Sequence, residues 1–354
     1  MLDLHKLDAL QQGFRNEMAS SGRILLIFDE IQHVPQWDKL IRTLYEKERD
    51  IEIFLTGSNS ELLSSELGSN LAGRFVEFHL LPFSFKEFVA YHKVSLQKTM
   101  AFHRNHLEIK KMFAQYLQFG GLPETLTITH NPTKYSYLQG ILSKVVLDDI
   151  ITRFHIRQPL IIEKLIHFLH LSIGNIISPT KIQHMLAEEG THIKADTLAS
   201  YIECVLRTFA MYEVPRFDWK LKRIFSTSKK YYSVDPGLIH LFDSTVANKS
   251  KQLENIVFLK LKQMFPHVYY GAMDAGREID FIAKDLEGIY HRFQITQTLT
   301  SSNQKRELSA FVSADPYMAR MQNTLLTLDE DESMIVYEGE TISKKYLLKW
   351  LLDL

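Results

Sequence analysis

The informative pattern begins at Ile24-Leu25-Leu26-Ile27-Phe28, a continuous apolar run that ends in Asp29-Glu30. A second, mostly apolar run, Ile51 to Thr56, ends in Gly57-Ser58-Asn59, and Phe75 to Leu80 forms a third extended stretch. Leu2 to Met18 has helix-like apolar spacing, and further helical patterns lie between the runs. Short apolar strands alternating with helices predict a parallel sheet covered on both faces. Chemistry in such sheets collects beyond the carboxyl ends of the strands, where both polar clusters fall.

Beyond residue 130 the pattern turns helical. Ile161 to His170, Ile182 to Glu188 and Thr197 to Phe209 carry apolar residues at three-to-four spacing. Ser178-Pro179-Thr180 is a start signal, because Ser caps free N–H groups and Pro suits a first turn. Met211 to Val214 and Lys229 to Val234 read as two strands around a basic loop, so the order is that of a winged helix-turn-helix. A third segment starts with a helix from Gln252 to Met264. Strands are expected near Val268–Tyr270, Ile279–Ile282, His291–Ile295, Leu308–Phe311 and Met334–Val336, and a terminal helix over Lys344 to Leu352. The predicted class is α/β, divided into residues 1–130 with a partial parallel sheet, 131–244 with the winged helix, and 245–354 with a mixed α/β domain.

Composition narrows the partners. The chain has 354 residues, 45% apolar and 23% charged, enough for two or three ordinary globular cores. Its net charge of −1 excludes a global basic field, so any nucleic-acid contact must be local. A single cysteine, Cys204, rules out an intramolecular disulfide and fits a reducing compartment. Met1 to Asn16 lacks an apolar signal core, and the longest apolar runs are far shorter than a bilayer span. The expectation is a cytoplasmic protein with no membrane partner.

The strand end at Asp29-Glu30 is the first candidate site. A Walker B strand projects a carboxylate that holds Mg²⁺ through water, here Asp29. The next residue, Glu30, polarises the water attacking a γ-phosphate. The competing reading is a solvated acidic turn. Further motifs follow in order: Phe28-Asp29-Glu30-Ile31-Gln32, Thr56-Gly57-Ser58-Asn59-Ser60, Leu71-Ala72-Gly73-Arg74 and Leu80-Leu81-Pro82-Phe83-Ser84-Phe85-Lys86-Glu87-Phe88. Phe119-Gly120-Gly121-Leu122-Pro123-Glu124 and Tyr231-Tyr232-Ser233-Val234-Asp235-Pro236-Gly237-Leu238 complete the set. As an ordered series they resemble the prokaryotic AAA-type P-loop ATPases that carry a C-terminal domain of unknown function. The resemblance implies ATP and Mg²⁺ as ligands, Ser58 or Asn59 as a γ-phosphate sensor, and Arg74 as a phosphate-reaching cation. A polar turn and a surface ion pair are the alternatives for these residues.

The family's phosphate loop, G-x-x-x-x-G-K-[S/T], does not occur in this sequence. The pairs Gly68/Gly73 and Gly271/Gly276 have its glycine spacing but are followed by Arg74-Phe75 and Arg277-Glu278. Only 22 residues precede Arg23, so the chain is expected to begin after the loop and not to hydrolyse ATP alone. The loop's strand normally lies between the sensor strand and Phe75–Leu80. Without it, either Ile53–Thr56 pairs directly with Phe75–Leu80, or the sheet is locally poor.

The third segment resembles a PD-(D/E)xK nuclease core: Glu254 on a helix, Asp280 at a strand end, then Gln294-Ile295-Thr296 on the next strand. Gln294 stands where the second acid belongs and Thr296 where the lysine belongs, so an endonuclease-like fold without cleavage is expected. Lys220, Lys222, Arg223, Lys229 and Lys230, with Arg207, cluster around the wing and could meet DNA phosphates or be a solvated loop. His103/His106 and His167/His170 lack acidic partners and read as structural. Asp148-Asp149 reads as an exposed helix face. Three functions remain open: an ATPase-family protein without its phosphate loop, a non-catalytic module that binds DNA or another protein, and, least expected, a nuclease that depends on Asp280.

Overall fold

The structure, a computed structural model, describes residues 23–31, 36–47, 51–57, 74–94, 100–217, 228–242, 249–272, 277–312 and 321–354, with positions 13, 34 and 96. The Leu2–Met18 helix, Ser58, Asn59, Gly68, Gly73, Lys220, Lys222 and Arg223 lie outside these residues. The chain forms two compact units, 1–80 with 207–209, and 81–206 with 210–354.

In the first unit, strand β1 (Ile24–Phe28) pairs in parallel with β2 (Ile51–Leu55), Ile24 opposite Ile51 and Phe28 opposite Leu55. Helix α1 (Trp37–Lys47) joins them. It buries Trp37, Leu40, Ile41 and Leu44, a three-to-four spacing that makes one apolar stripe. Leu26, Phe28, Ile53 and Leu55 pack on that stripe. The opposite face is open: Leu25 is 54% exposed, Ile27 66% and Phe54 49%. Residues 75–80 make no strand, and Val76, Phe78 and Leu80 are exposed. A strand exists only through a partner's N–H and C=O groups. Among the described residues Phe75–Leu80 joins no sheet, so the direct pairing of Ile53–Thr56 with Phe75–Leu80 is not formed.

The second unit begins with α2 (Phe85–Tyr91), α3 (Ala101–Arg104), α4 (His106–Phe119), α5 (Pro123–Thr127) and α6 (Asn131–Leu142). A π-helical stretch, Ser143–Thr152, follows. The side chains of Asp148 and Asp149 within it lie outside the description. Next come α7 (Pro159–Leu171), α8 (Pro179–Glu188) and α9 (Ala195–Arg207), then an antiparallel hairpin of β3 (Met211–Pro215) and β4 (Lys229–Ser233). The Ser178 hydroxyl accepts from Lys181 N at 3.2 Å, the expected cap of α8. Helices α10 (Pro236–Phe242) and α11 (Lys249–Met264) lead into a six-stranded sheet.

That sheet contains β5 (His267–Ala272), β6 (Glu278–Lys284), β7 (Tyr290–Ile295), β8 (Gln322–Thr327), β9 (Ser333–Tyr337) and β10 (Glu340–Tyr346). Its order is β5-β6-β7-β8-β10-β9. Strands β5, β6 and β7 run antiparallel, whereas β8 is parallel to both β7 and β10. Helix α12 (Gln304–Ser309) lies in the β7–β8 crossover, and α13 (Leu347–Leu351) ends the fold. Two sequence expectations change here. Leu308–Phe311 is the end of α12 and the turn after it, with Leu308 and Phe311 fully buried. Residues 344–346 belong to β10 instead of a terminal helix, because Lys344 is held there by Asp329 and Asp331.

Three of the ordered motifs meet in this unit. The Asp235 carboxylate accepts from Gly121 N at 2.7 Å and Gly237 N at 2.8 Å, and also from the N–H groups of Leu122 and Leu238. It thereby joins the starts of α5 and α10. Phe83 N donates to the Gly121 carbonyl, and the Tyr116 hydroxyl donates to the Phe83 carbonyl. A β-carbon at Gly121 would lie 2.0 Å from that Phe83 oxygen, and Gly120 has φ +73°. Only glycine permits this approach. Ser84 and Glu87 close a capping box on α2: Ser84 N donates to Glu87 at 2.8 Å, and Glu87 N donates to Ser84 at 3.3 Å. These motifs therefore have a packing role in the second unit.

Candidate functional sites

The first site sits at the carboxyl ends of β1 and β2. Thr56 N donates to the Phe28 carbonyl, which holds the two strand ends in register. The Thr56 hydroxyl donates to Asp29 Oδ1 at 2.5 Å, and Glu30 N donates to the same hydroxyl at 3.0 Å. Glu30 adopts φ +50°, so the chain turns sharply after Asp29. Asp29 is exposed, with one carboxylate oxygen engaged by Thr56. A hard cation held through water suits the other oxygen. Arg74, the expected phosphate cation, pairs at 3.6 Å with Glu46 and lies 6.0 Å from the Tyr45 ring centre. Both partners are on α1, and the Arg74 side chain is itself largely solvent-facing. Gly271, the start of the second glycine pair, lies inside β5, where a β-carbon would collide with Ile279. Among the described residues the strand ends thus present one exposed carboxylate, Asp29, braced by the Thr56 hydroxyl.

The second site is built by the hairpin, α11 and β6. Glu254 projects from α11, and Glu278 and Asp280 project from one face of β6. The Lys230 ammonium from β4 lies between them. Its Nζ is 3.0 Å from Glu254 Oε1, 2.5 Å from Glu278 Oε1 and 3.7 Å from Asp280 Oδ1. The Lys230 side chain is 1% exposed. The Tyr232 hydroxyl donates to Glu254 at 2.6 Å, and its ring stacks on Phe258 one turn further along α11. Gly174, at φ +74°, lets the chain after α7 pass against the Glu254 carboxylate, where a β-carbon would lie 2.7 Å from Oε2.

Charge in this cluster is set by burial and proximity. Burial alone would lower the Lys230 pKa, but Glu254, Asp280 and Glu278 together raise it well above the ordinary lysine value. Burial and the neighbouring Glu254 push Asp280 well above the usual carboxylate range, against the pull of Lys230 and the Ile295 N–H. Ile295 N donates to Asp280 Oδ2 at 2.8 Å. Gln294 accepts from Asp280 N and donates to Glu307, so its neutral amide ties β6 to α12. Thr296 turns away, accepting from Asn303 at 3.4 Å.

The structure brings together Glu254, Asp280 and Gln294 as the sequence suggested, and adds Glu278 and Lys230. Glu278 was legible: two residues before Asp280 on a strand, it must share a face with it. Lys230 was assigned to a solvent-facing wing. It is instead buried, because three carboxylates compensate its charge. Its neighbour Lys229 donates to both oxygens of Glu213 across the hairpin at 2.6 Å. Thr56 was quoted within a motif and not as a site residue. Its signal was a hydroxyl at the strand end beside the one bearing Asp29.

A family model described as "AAA domain" matches residues 2–89, and one described as "Domain of unknown function (DUF8612)" matches residues 110–250. An uncharacterized protein of Haemophilus influenzae is 34% identical over 283 residues, 79% of this chain and 68% of that protein. An uncharacterized protein of Methanocaldococcus jannaschii is 30% identical over 316 residues, 87% of this chain and 69% of that protein. A solved Walker-type ATPase of Pyrococcus abyssi aligns over 68% of each chain at 17% identity and a TM-score of 0.44. Among the described residues no helix is long and apolar enough to cross a membrane. On its identity to the two uncharacterized proteins, one bacterial and one archaeal, the chain belongs to their family, and its own residues 2–89 match the AAA domain model.

Proposed function

We propose that this chain is an AAA-type ATPase relative that does not hydrolyse ATP alone. Its N-terminal unit carries a Walker B half-site, Asp29 with Glu30, but the sequence holds no phosphate loop. The observation that supports this reading is the Thr56–Asp29 hydrogen bond, which ties the acidic end of β1 to the end of β2. When bound, Mg²⁺ would supply charge neutralisation to phosphate oxygens. Asp29 would orient its waters, and Thr56 would hold the Asp29 carboxylate in one rotamer. Titration with a fluorescent ATP analogue and Mg²⁺ tests the proposal. We expect no saturable binding below roughly millimolar. Micromolar binding lost in Asp29→Ala would overturn it.

A second reading treats the second unit as a non-catalytic module that binds DNA or another protein. Three helices followed by the β3–β4 hairpin support a winged-helix assignment. The order helix α11, three antiparallel strands, α12 and a parallel strand supports a nuclease-like core without cleavage. Lys229 and Lys230 are committed to carboxylates, so DNA contact would rest on Lys220, Lys222 and Arg223, with Arg207. A DNA mobility shift that weakens with salt and disappears on neutralising Lys222 and Arg223 favours this reading.

A further inference from the structure

We infer that Lys230 is a tethered cation standing where a divalent metal ion would otherwise sit, so that Glu254, Glu278 and Asp280 are closed to metal in the native chain. The three carboxylates come from two elements, α11 and β6, and converge on one ammonium nitrogen within 3.7 Å. Such a set of oxygens is what a hard divalent cation takes as ligands. A lysine ammonium offers three N–H donors and one positive charge. It meets the same oxygens without needing an ion from solution. The lysine arrives from β4, a strand outside the six-stranded sheet, so the cation is delivered by the hairpin and not by the strand bearing Gln294.

Further donors meet two of the three carboxylates. The Tyr232 hydroxyl donates to Glu254, and Ile295 N donates to the second oxygen of Asp280. Glu278, 37% exposed, is the one carboxylate of the three with a substantial solvent face. A lysine carries half the charge of a divalent ion, so the site can balance fewer carboxylates. The neutral amide at Gln294, bonded to Asp280 N and Glu307, adds no further negative charge beside Asp280. The inference implies that this cluster supports no metal-dependent cleavage. It holds whether or not the N-terminal unit binds nucleotide.

Mn²⁺ alone is the probe, titrated against the full-length native chain, Lys230→Met, and Lys230→Met with Asp280→Asn. Methionine keeps the length of the lysine stem and removes the charge. The native chain is expected to show no saturable Mn²⁺ binding below roughly millimolar. Lys230→Met is expected to bind one Mn²⁺ at least an order of magnitude more tightly and to melt at higher temperature with it. The added Asp280→Asn should abolish both effects. If Lys230→Met does not fold without metal, refolding it in Mn²⁺ is the readout, and recovery of folded protein supports the inference. Micromolar Mn²⁺ binding by the native chain that Asp280→Asn removes would overturn it. So would a Lys230→Met chain that neither binds Mn²⁺ more tightly nor is recovered by it.

Discussion

The two units bury apolar strands very differently. In the six-stranded sheet β6 has β5 on one side and β7 on the other, and its Ile279, Phe281 and Ile282 are fully buried. In the first unit β1 is apolar throughout, yet Leu25 and Ile27 remain exposed. The acids follow the same contrast. Asp280 is enclosed and must be compensated by Lys230, whereas Asp29 is exposed and bonded to the Thr56 hydroxyl. A strand's composition states what it could bury. The neighbouring elements decide whether it does, and with it the cost of any charge at its end.

The largest break in that contrast is Lys230→Met. Removing one partner of a buried charge cluster leaves carboxylates uncompensated, so stability should fall by about 3–5 kcal/mol. Chemical denaturation reads this directly. A loss near zero would mean that the acids protonate or rearrange freely.

A pH series sharpens the picture within the second unit. Burial pushes Asp235 up to about 6 from 3.8, against the N–H groups it accepts from. Its folded pKa lies above the unfolded value, so this carboxyl stabilises the fold as pH falls from about 6 to 4. Burial holds His170 down to about 4 from 6.5, against its bond to the Ile166 carbonyl. The stability it confers is present above 6.5 and lost as pH falls toward about 4. The two effects oppose each other, each on the order of 3 kcal/mol. Asp235→Asn should therefore lower stability, and the variant's melting temperature should fall more steeply on acidification than the native chain's, because the offsetting carboxyl is gone. Parallel melting curves for the two proteins would sink this account.

The smallest effect is expected on the open face of β1. Ile27→Lys adds a charge to a side chain already facing water, so stability should change by less than about 0.5 kcal/mol. Aggregation measured by light scattering should decrease, because an exposed apolar sheet face is an association surface. A large loss of stability would show that Ile27 is covered in solution.

Much of this was readable along the chain. Ser178-Pro179 marked the start of α8, and the hairpin strands fell where alternation placed them. Glu254, Asp280 and Gln294 met as their order implied. The failures have local causes. Leu308–Phe311 is as apolar as a strand, and only its position in the crossover makes it a helix end. Lys344 and Lys345 suit a helix by propensity, but pairing with Leu325 and Leu326 of β8 draws them into a strand. Lys230 stands next to Lys229 in a basic stretch, and nothing nearby in sequence indicates that the two side chains go to different carboxylates.

By itself the sequence determined the periodicities, caps and glycine positions, because these depend on neighbours within a few residues. It also determined that a strand-end Asp-Glu pair occurs without a phosphate loop. Tertiary structure decided which apolar faces are covered, why Gly121 must be glycine, and which cation neutralises Glu254, Glu278 and Asp280. Those outcomes depend on groups 24 to 50 residues apart around Lys230, and on 114 between Gly121 and Asp235. Coulombic attraction and steric exclusion act across space, so no local pattern encodes them.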